Sequence, residues 1–303
     1  AQEYDHEVVV LDDFSTGNDW AVKDCEVLRV NLLDQVKLSQ ILKGRSFDGV
    51  IHFAAKSLVG ESVEKPDLYY RNNVVGTLNL VSEMLKNDVN NLVFSSTAAI
   101  FGNPVTDKIA EDHPKNPINP YGQSKLMVEN MLQDICSAND FNATCLRYFN
   151  AAGAHDSGEI GEAHDPETHL IPNILQSALL EKSKLKVFGS DYPTADGTCI
   201  RDYVHVNDLA QAHLLAVGHG LHSNNGFSAY NLGNGNGFSV FDVIQCSEYV
   251  VRKKVEYEIL ERRHGDPPFL VANSSSAREN LSWNPLYGSL ENIILSAWSW
   301  HKK

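Results

Sequence analysis

The chain predicts an α/β protein built on a doubly wound parallel sheet. Three observations point there. Short apolar runs alternate with stretches of helical period through the first half. Acidic, amide or hydroxyl residues close several of those runs, where open parallel sheets gather ligands. No internal repeat or low-complexity linker breaks the order.

Residues 8–11 read as a buried strand reaching Asp12, and residues 26–30 as a second reaching Asn31. An amphipathic helix over 34–42 follows, then a strand over 48–54 and a longer helix over 66–86. The run 91–96 is a strand ending in hydroxyls, which puts Thr97 at the sheet rim. Pro120 suits the first turn of a helix that Leu126, Met131, Leu132 and Ile135 continue, and residues 143–149 return to the sheet. In a dinucleotide-binding unit the acidic strand end follows a glycine loop by about twenty residues. Only eleven residues precede Asp12. The reading is therefore a Rossmann-like sheet whose first strand and glycine loop are absent from the chain. The glycine-rich run 233–237 is no substitute, because it follows a late strand, 229–232, with no acidic strand end after it. It reads as a structural turn before a helix at Ser239.

Lys and Arg number 25 against 39 Asp and Glu, a net charge of −14 with no basic run, which argues against a nucleic-acid partner. Five cysteines, Cys25, Cys136, Cys145, Cys199 and Cys246, are scattered, so neither a disulfide framework nor a cysteine zinc site is expected. A reducing, cytoplasmic compartment fits them. No apolar run is long enough to span a bilayer, and the polar start is not a signal peptide, so no membrane partner is expected.

Tyr121 and Lys125 stand one helical turn apart and should share a face. A free phenol has a pKa of about 10, and a neighbouring ammonium favours the phenolate, which would make Tyr121 a usable base. Asp12 is either an acceptor for both hydroxyls of an adenosine ribose, favouring NAD over NADP, or a turn cap shared with Asp13. Asn31 is either an adenine contact or a turn residue.

A hydroxyl at a strand end with a Tyr/Lys pair on the next helix resembles the catalytic set of the extended short-chain dehydrogenase/reductase superfamily. The runs 53–62, 69–74, 95–97, 146–150, 196–206, 231–233 and 262–266 extend this into a resemblance to the UDP-glucose 4-epimerase family over essentially the whole chain. It implies Thr97, Tyr121 and Lys125 as the catalytic residues of an enzyme interconverting UDP-galactose and UDP-glucose in galactose metabolism. The route is a transient 4-keto sugar with bound NADH. It implies that Asp12, Asp13, Phe14, Ser15, Thr16, Gly17, Asn31, Leu32, Phe53, Ala54, Ala55, Lys56, Ser57, Asn72, Ser95, Tyr148 and Phe149, with Tyr121 and Lys125, line NAD. The UDP-sugar would meet Asn150, His169, Leu170, Phe188, Arg201, Arg263, Asp266 and Leu270 as well as Thr97 and Tyr121. Arg201 and Arg263 suit pyrophosphate oxygens by their geometry, or form surface ion pairs. The implied organisation is an NAD-binding domain over 1–150 and a smaller α/β lobe over 151–303 for the UDP-sugar, with about 201–232 packing back on the first. A homodimer is also implied.

Ser57 stands where many family members carry lysine, with Lys56 one position earlier, and Thr97 keeps the hydroxyl of the more familiar serine. Residues 164–169 resemble a metal-ligand run, but no third clustered ligand is evident, so a loop is expected and no metal is assigned. Related dehydratases and decarboxylases place a carboxylate just after the Ser/Thr, whereas here Ala98 and Ala99 follow, which favours epimerisation. Leu270 occupies the position that borders the sugar C2 substituent in that family, and leucine leaves more room than tyrosine. UDP-N-acetylglucosamine 4-epimerase or dual-specificity activity is the alternative. A non-catalytic NAD-binding protein on the same fold is a third reading.

Overall fold

Val9–Asp12 (β1) and Glu26–Arg29 (β2) pair in parallel, Val9 opposite Glu26 and Asp12 opposite Arg29. The computed structural model describes residues 1–303 except 3–4, 23, 181–183, 223–225 and 264–265. Asp34 caps the helix Gln35–Leu42 (α1) through the Lys37 amide. Val50–His52 (β3) leads to Val59–Glu64 (α2), Pro66–Tyr69 (α3) and Gly76–Lys86 (α4). Between α3 and α4 the chain winds as a π-helix over Tyr70–Val75, so the single helix expected over 66–86 is continuous but locally wider.

Asn91–Thr97 (β4), Pro120–Ala138 (α5) and Asn142–Tyr148 (β5) complete the pattern expected of the first half. The strand Phe227–Leu232, β10 in chain order, borders a four-stranded sheet of order β10-β5-β4-β3, in which β3 and β4 run parallel. Among the described residues β1 and β3 each have one hydrogen-bonded neighbour strand. The sheet rests on a core of Leu80, Val81, Met84, Leu92, Phe94, Val128 and Leu132, contributed by α4, β4 and α5.

The chain divides into two compact units. One comprises residues 1–102, 115–146 and 213–229, and the other 103–114, 147–212 and 230–303. The second unit holds short strands: Asn150–Ala152 (β6) beside Tyr203–His205 (β9), Leu185–Phe188 (β7) beside Tyr257–Leu260 (β12), and Ile200–Arg201 (β8) between Phe238–Ser239 (β11) and Phe269–Leu270 (β13). Helices Leu170–Leu180 (α6), Val240–Val251 (α8) and Leu290–His301 (α10) bury Ile171, Ile174, Leu175, Val243, Ile244, Ile293 and Ile294 together. Helices Val206–His222 (α7) and Ser275–Asn280 (α9) complete the order. Ser239 and Asp242 form a reciprocal capping box at the start of α8. The glycine run before it is a structural turn, as the sequence predicts: the Asn234 and Gly235 amides donate to the Asp202 carboxylate and the Gly233 amide to Ser274 Oγ.

Candidate active site

In the first unit, β4 delivers Thr97 to its carboxyl end, where the hydroxyl accepts the Ala99 amide at 3.2 Å and starts a 3-10 turn over Ala98–Phe101. The next helix begins with Asn119 accepting the Gly122 amide at 2.9 Å and Pro120 in the first turn. Gly122 lets this turn approach the one after Thr97, since a Cβ there would sit 2.5 Å from the Ala99 carbonyl oxygen. That approach brings the Tyr121 phenol within electrostatic reach of the Thr97 hydroxyl. One turn on, Lys125 is 2% exposed. Its Nζ donates to the Ser95 carbonyl at 2.7 Å and lies 4.7 Å from the Phe94 ring centroid.

The electrostatics correct the expectation drawn from spacing. Burial pushes the Tyr121 phenol above its ordinary value, and the Thr97 hydroxyl offsets only part of that. Burial also lowers Lys125 to about 7, although Cys145 and Glu129 favour its charge. Desolvation, which sequence spacing does not reveal, therefore dominates both groups in the ligand-free chain. His52, buried at the end of β3 and hydrogen-bonded to Thr77 Oγ1 at 2.8 Å, is lowered to about 3 by burial and by the Lys125 charge, and stays neutral.

Two groups here escaped the sequence reading. Glu129, 2% exposed, accepts from Ser96 Oγ at 2.6 Å one turn beyond Lys125. Asn73 accepts the Lys56 amide at 2.8 Å, donates to the Lys56 carbonyl at 3.0 Å and donates to Ser124 Oγ at 3.0 Å, tying the loop after β3 to α5. The adjacent Asn72 donates to Asn73 Oδ1, so the amide pair was the available signal.

Of the proposed NAD-lining residues in this unit, those from Asp12 to Ser57 and Ser95 stand at or just after the carboxyl ends of β1 to β4, whereas Asn72 lies in the π-helical segment and Tyr121 and Lys125 on α5. Asp12 accepts the Phe14 amide at 2.7 Å, and Asp13 accepts the Ser15 amide and the Asn31 side chain. Burial would raise Asp13, yet the bonds from Ser15 and Asn31 and the Lys56 charge hold it below its usual range. Gly17 lies so close to Asp12 that a Cβ would meet its carboxylate at 3.3 Å. Ser15, Thr16 and Gly17 are exposed beside that carboxylate, as are Phe53, Ala54 and Ser57 after β3, with Ala55 half-buried among them. Leu32 accepts from Asn79 Nδ2 and touches the position of Gly76. Carboxylates for hydroxyls, exposed backbone and a buried lysine form a donor and acceptor set that fits a dinucleotide.

In the second unit, Arg201 donates to the Ile200 and Pro267 carbonyls at 2.9 and 2.8 Å and lies 3.7 Å from Asp266. Arg263 covers the Phe188 ring with its guanidinium 3.9 Å from the centroid, while Arg262 is engaged by Asp191 and Tyr192. His264 and Gly265 of the 262–266 run lie outside the described residues. Leu270 is half-buried in β13 opposite Arg201. Asn150 donates to the Asp202 carbonyl at 2.9 Å, and Tyr148 and Phe149 precede it half-buried. Asp202, missed from sequence, is fully buried and raised to about 6 by burial despite three backbone donors.

Residues 164–169 form the loop that the sequence predicts, ending at His169 just before Leu170 opens α6. In and beside this loop the fold gathers Glu162, His164, Glu167 and His169, with their carboxylate oxygens and ring nitrogens within 4.8 Å of one another. Burial works to raise Glu162, but hydrogen bonds with both histidines hold it at about 2. Those with Glu162 and Glu167 raise His164 to about 10. No helix among the described residues is long and apolar enough to cross a membrane.

A profile described as the NAD dependent epimerase/dehydratase family matches residues 1–233. A UDP-glucose 4-epimerase of Halalkalibacterium halodurans is 48% identical over 301 residues, covering 99% of this chain and 90% of the relative. The structure of the Brucella ovis UDP-glucose 4-epimerase in complex with NAD superposes with a TM-score of 0.94 at 44% identity, over 98% of this chain and 91% of that one. A UDP-Glc/GlcNAc 4-epimerase of Campylobacter jejuni is 40% identical with a TM-score of 0.83, over 98% and 92% of the two chains. With the Thr97, Tyr121 and Lys125 geometry in place and similarity over nearly the full length, the chain belongs to the NAD dependent epimerase/dehydratase family, among its UDP-glucose 4-epimerases.

Proposed function

We propose that this chain interconverts UDP-galactose and UDP-glucose by NAD-dependent epimerisation at C4, through a transient 4-keto sugar, in galactose metabolism. The observation that carries the reading is the Thr97 and Tyr121 pair at the end of β4 with Lys125 beneath it, followed by Ala98 and Ala99 rather than a carboxylate. No acid in that turn can expel a neighbouring hydroxyl, so oxidation at C4 is followed by its reversal.

NAD, when bound, would supply an acceptor and donor for the C4 hydrogen. Tyr121 takes the C4 hydroxyl proton and later returns it, and Thr97 orients the reacting oxygen. Lys125, fixed on the Ser95 carbonyl, is assigned to the nicotinamide ribose. Arg201 and Arg263 are assigned to the UDP phosphates, with Phe188, Asp266, Asn150, His169, Leu170 and Leu270 as further UDP-sugar contacts. UDP then anchors the keto sugar while it turns its other face, so binding energy from a non-reacting group retains an unstable species.

Residues 1–150 are assigned to NAD and 151–303 mainly to the UDP-sugar. A cytoplasmic setting is supported by the cofactor and by five scattered cysteines that form no disulfide among the described residues. A homodimer is supported by the exposed apolar side chains Val63, Val75, Leu78 and Met127 on the helices of the first unit. The net charge of −14 supports the absence of a nucleic-acid partner. Dual specificity for N-acetylated sugars is the second reading, supported by leucine at position 270 and by the similarity to the Campylobacter jejuni enzyme. Incubation with NAD and UDP-galactose tests the assignment: UDP-glucose should form without accumulation of NADH. Stoichiometric NADH would establish a net oxidoreductase instead.

A further inference from the structure

The loop entering α6 places four ligating side chains within eight residues, Glu162, His164, Glu167 and His169. His164 Nδ1 lies 3.2 Å from Glu162 Oε1 and 3.6 Å from Glu167 Oε2. His169 Nδ1 is hydrogen-bonded to Glu162 Oε1 and lies 4.0 Å from Glu167 Oε1. A tetrahedral cation with ligand bonds of about 2.0–2.2 Å holds its ligand atoms roughly 3.3–3.6 Å apart. All four groups already place an atom within 4.8 Å of the others, close to that spacing.

We propose that Glu162, His164, Glu167 and His169 bind one divalent transition-metal cation of the zinc type, which fixes the loop before α6. Two imidazole nitrogens with two carboxylates suit zinc, whereas magnesium and calcium take oxygen ligands almost throughout. The loop is also built to hold these groups in place. Glu167 Oε1 accepts the Thr168 and His169 amides, each at 2.8 Å, which aims the carboxylate. Trp300 Nε1 donates to the Glu162 carbonyl at 2.9 Å. Gly161 permits that contact, because a Cβ there would lie 2.3 Å from the Trp300 ring. Beside Trp300, the His301 ring carries a buried Nε2 that has no hydrogen-bond partner and sits within electrostatic reach of Glu162 and Glu167.

The full chain, stripped with chelator, is titrated with Zn²⁺ by calorimetry and with Co²⁺ by visible absorption. One equivalent of Zn²⁺ per chain is expected, with an intense tetrahedral-type Co²⁺ spectrum and a higher Tm on loading. His164→Ala and Glu162→Gln should each weaken Zn²⁺ binding at least about tenfold, since loss of a ligand exceeds the loss of an outer partner. His155→Ala, outside the cluster, should leave it unchanged. Circular dichroism confirms that the variants fold. Absence of stoichiometric uptake, a six-coordinate Co²⁺ spectrum in the unsubstituted chain, or uptake unaffected by both substitutions would overturn the proposal and leave only ion pairs between histidines and carboxylates.

Discussion

Replacing Lys125 by methionine removes a buried ammonium while keeping much of its aliphatic volume. Burial lowers this lysine from an ordinary 10.5 to about 7. Between those values the unfolded chain binds the proton that the folded chain has released, so the group's contribution makes stability rise with pH across that window. Below about pH 7 the folded chain carries the full cost of the buried charge. A difference of about 3.5 units at about 1.36 kcal/mol each gives a cost of about 5 kcal/mol. Methionine abolishes that cost but leaves the Ser95 carbonyl without its Nζ donor, a loss of about 1–3 kcal/mol. At about pH 6 the variant should therefore be more stable by roughly 2–4 kcal/mol, and at about pH 10.5 less stable by roughly 1–3 kcal/mol. Denaturant unfolding of both proteins at several pH values measures this directly. A stability difference that stays constant with pH would refute the claim that Lys125 is held in a desolvated site.

Tyr121→Phe deletes only the proton-transferring oxygen and should lower turnover by about 10²–10⁴ with stability changed by no more than about 1 kcal/mol; steady-state kinetics and a melting curve check both. Gly122→Ala places a Cβ 2.5 Å from the Ala99 carbonyl, so a loss of about 1–3 kcal/mol is expected in denaturant titration. Leu270→Tyr should raise the ratio of kcat/KM for UDP-galactose over UDP-N-acetylgalactosamine by about tenfold or more. An unchanged ratio removes Leu270 from the specificity argument.

Local chemistry made much of the fold legible. Asn119-Pro120 marks the start of α5 because a capping amide and a proline in the first turn are local devices. The Ser239 capping box marks α8 in the same way. Contacts between distant residues left less trace. Asn73 meets Ser124 from 51 positions away, and Ser96 meets Glu129 from 33. The π-helical winding at Tyr70–Val75 has no compositional mark distinguishing it from an α-helix. The direction of the Tyr121 shift was misread for another reason: spacing reveals a neighbouring charge but not the loss of water around the phenol. Glu162 was passed over because it lies just outside the 164–169 run, and loop side chains follow no helical or strand period that would tie it to His169.

The central claim is that the hydrogen removed from C4 is the hydrogen returned to it. Epimerisation of UDP-galactose deuterated at C4 with the NAD-loaded protein, followed by NMR of the UDP-glucose formed, measures its fate. Retention of deuterium at C4 is the result this account predicts. Replacement of that deuterium by solvent hydrogen would contradict it, because inversion would then proceed by deprotonation and reprotonation rather than by oxidation and return.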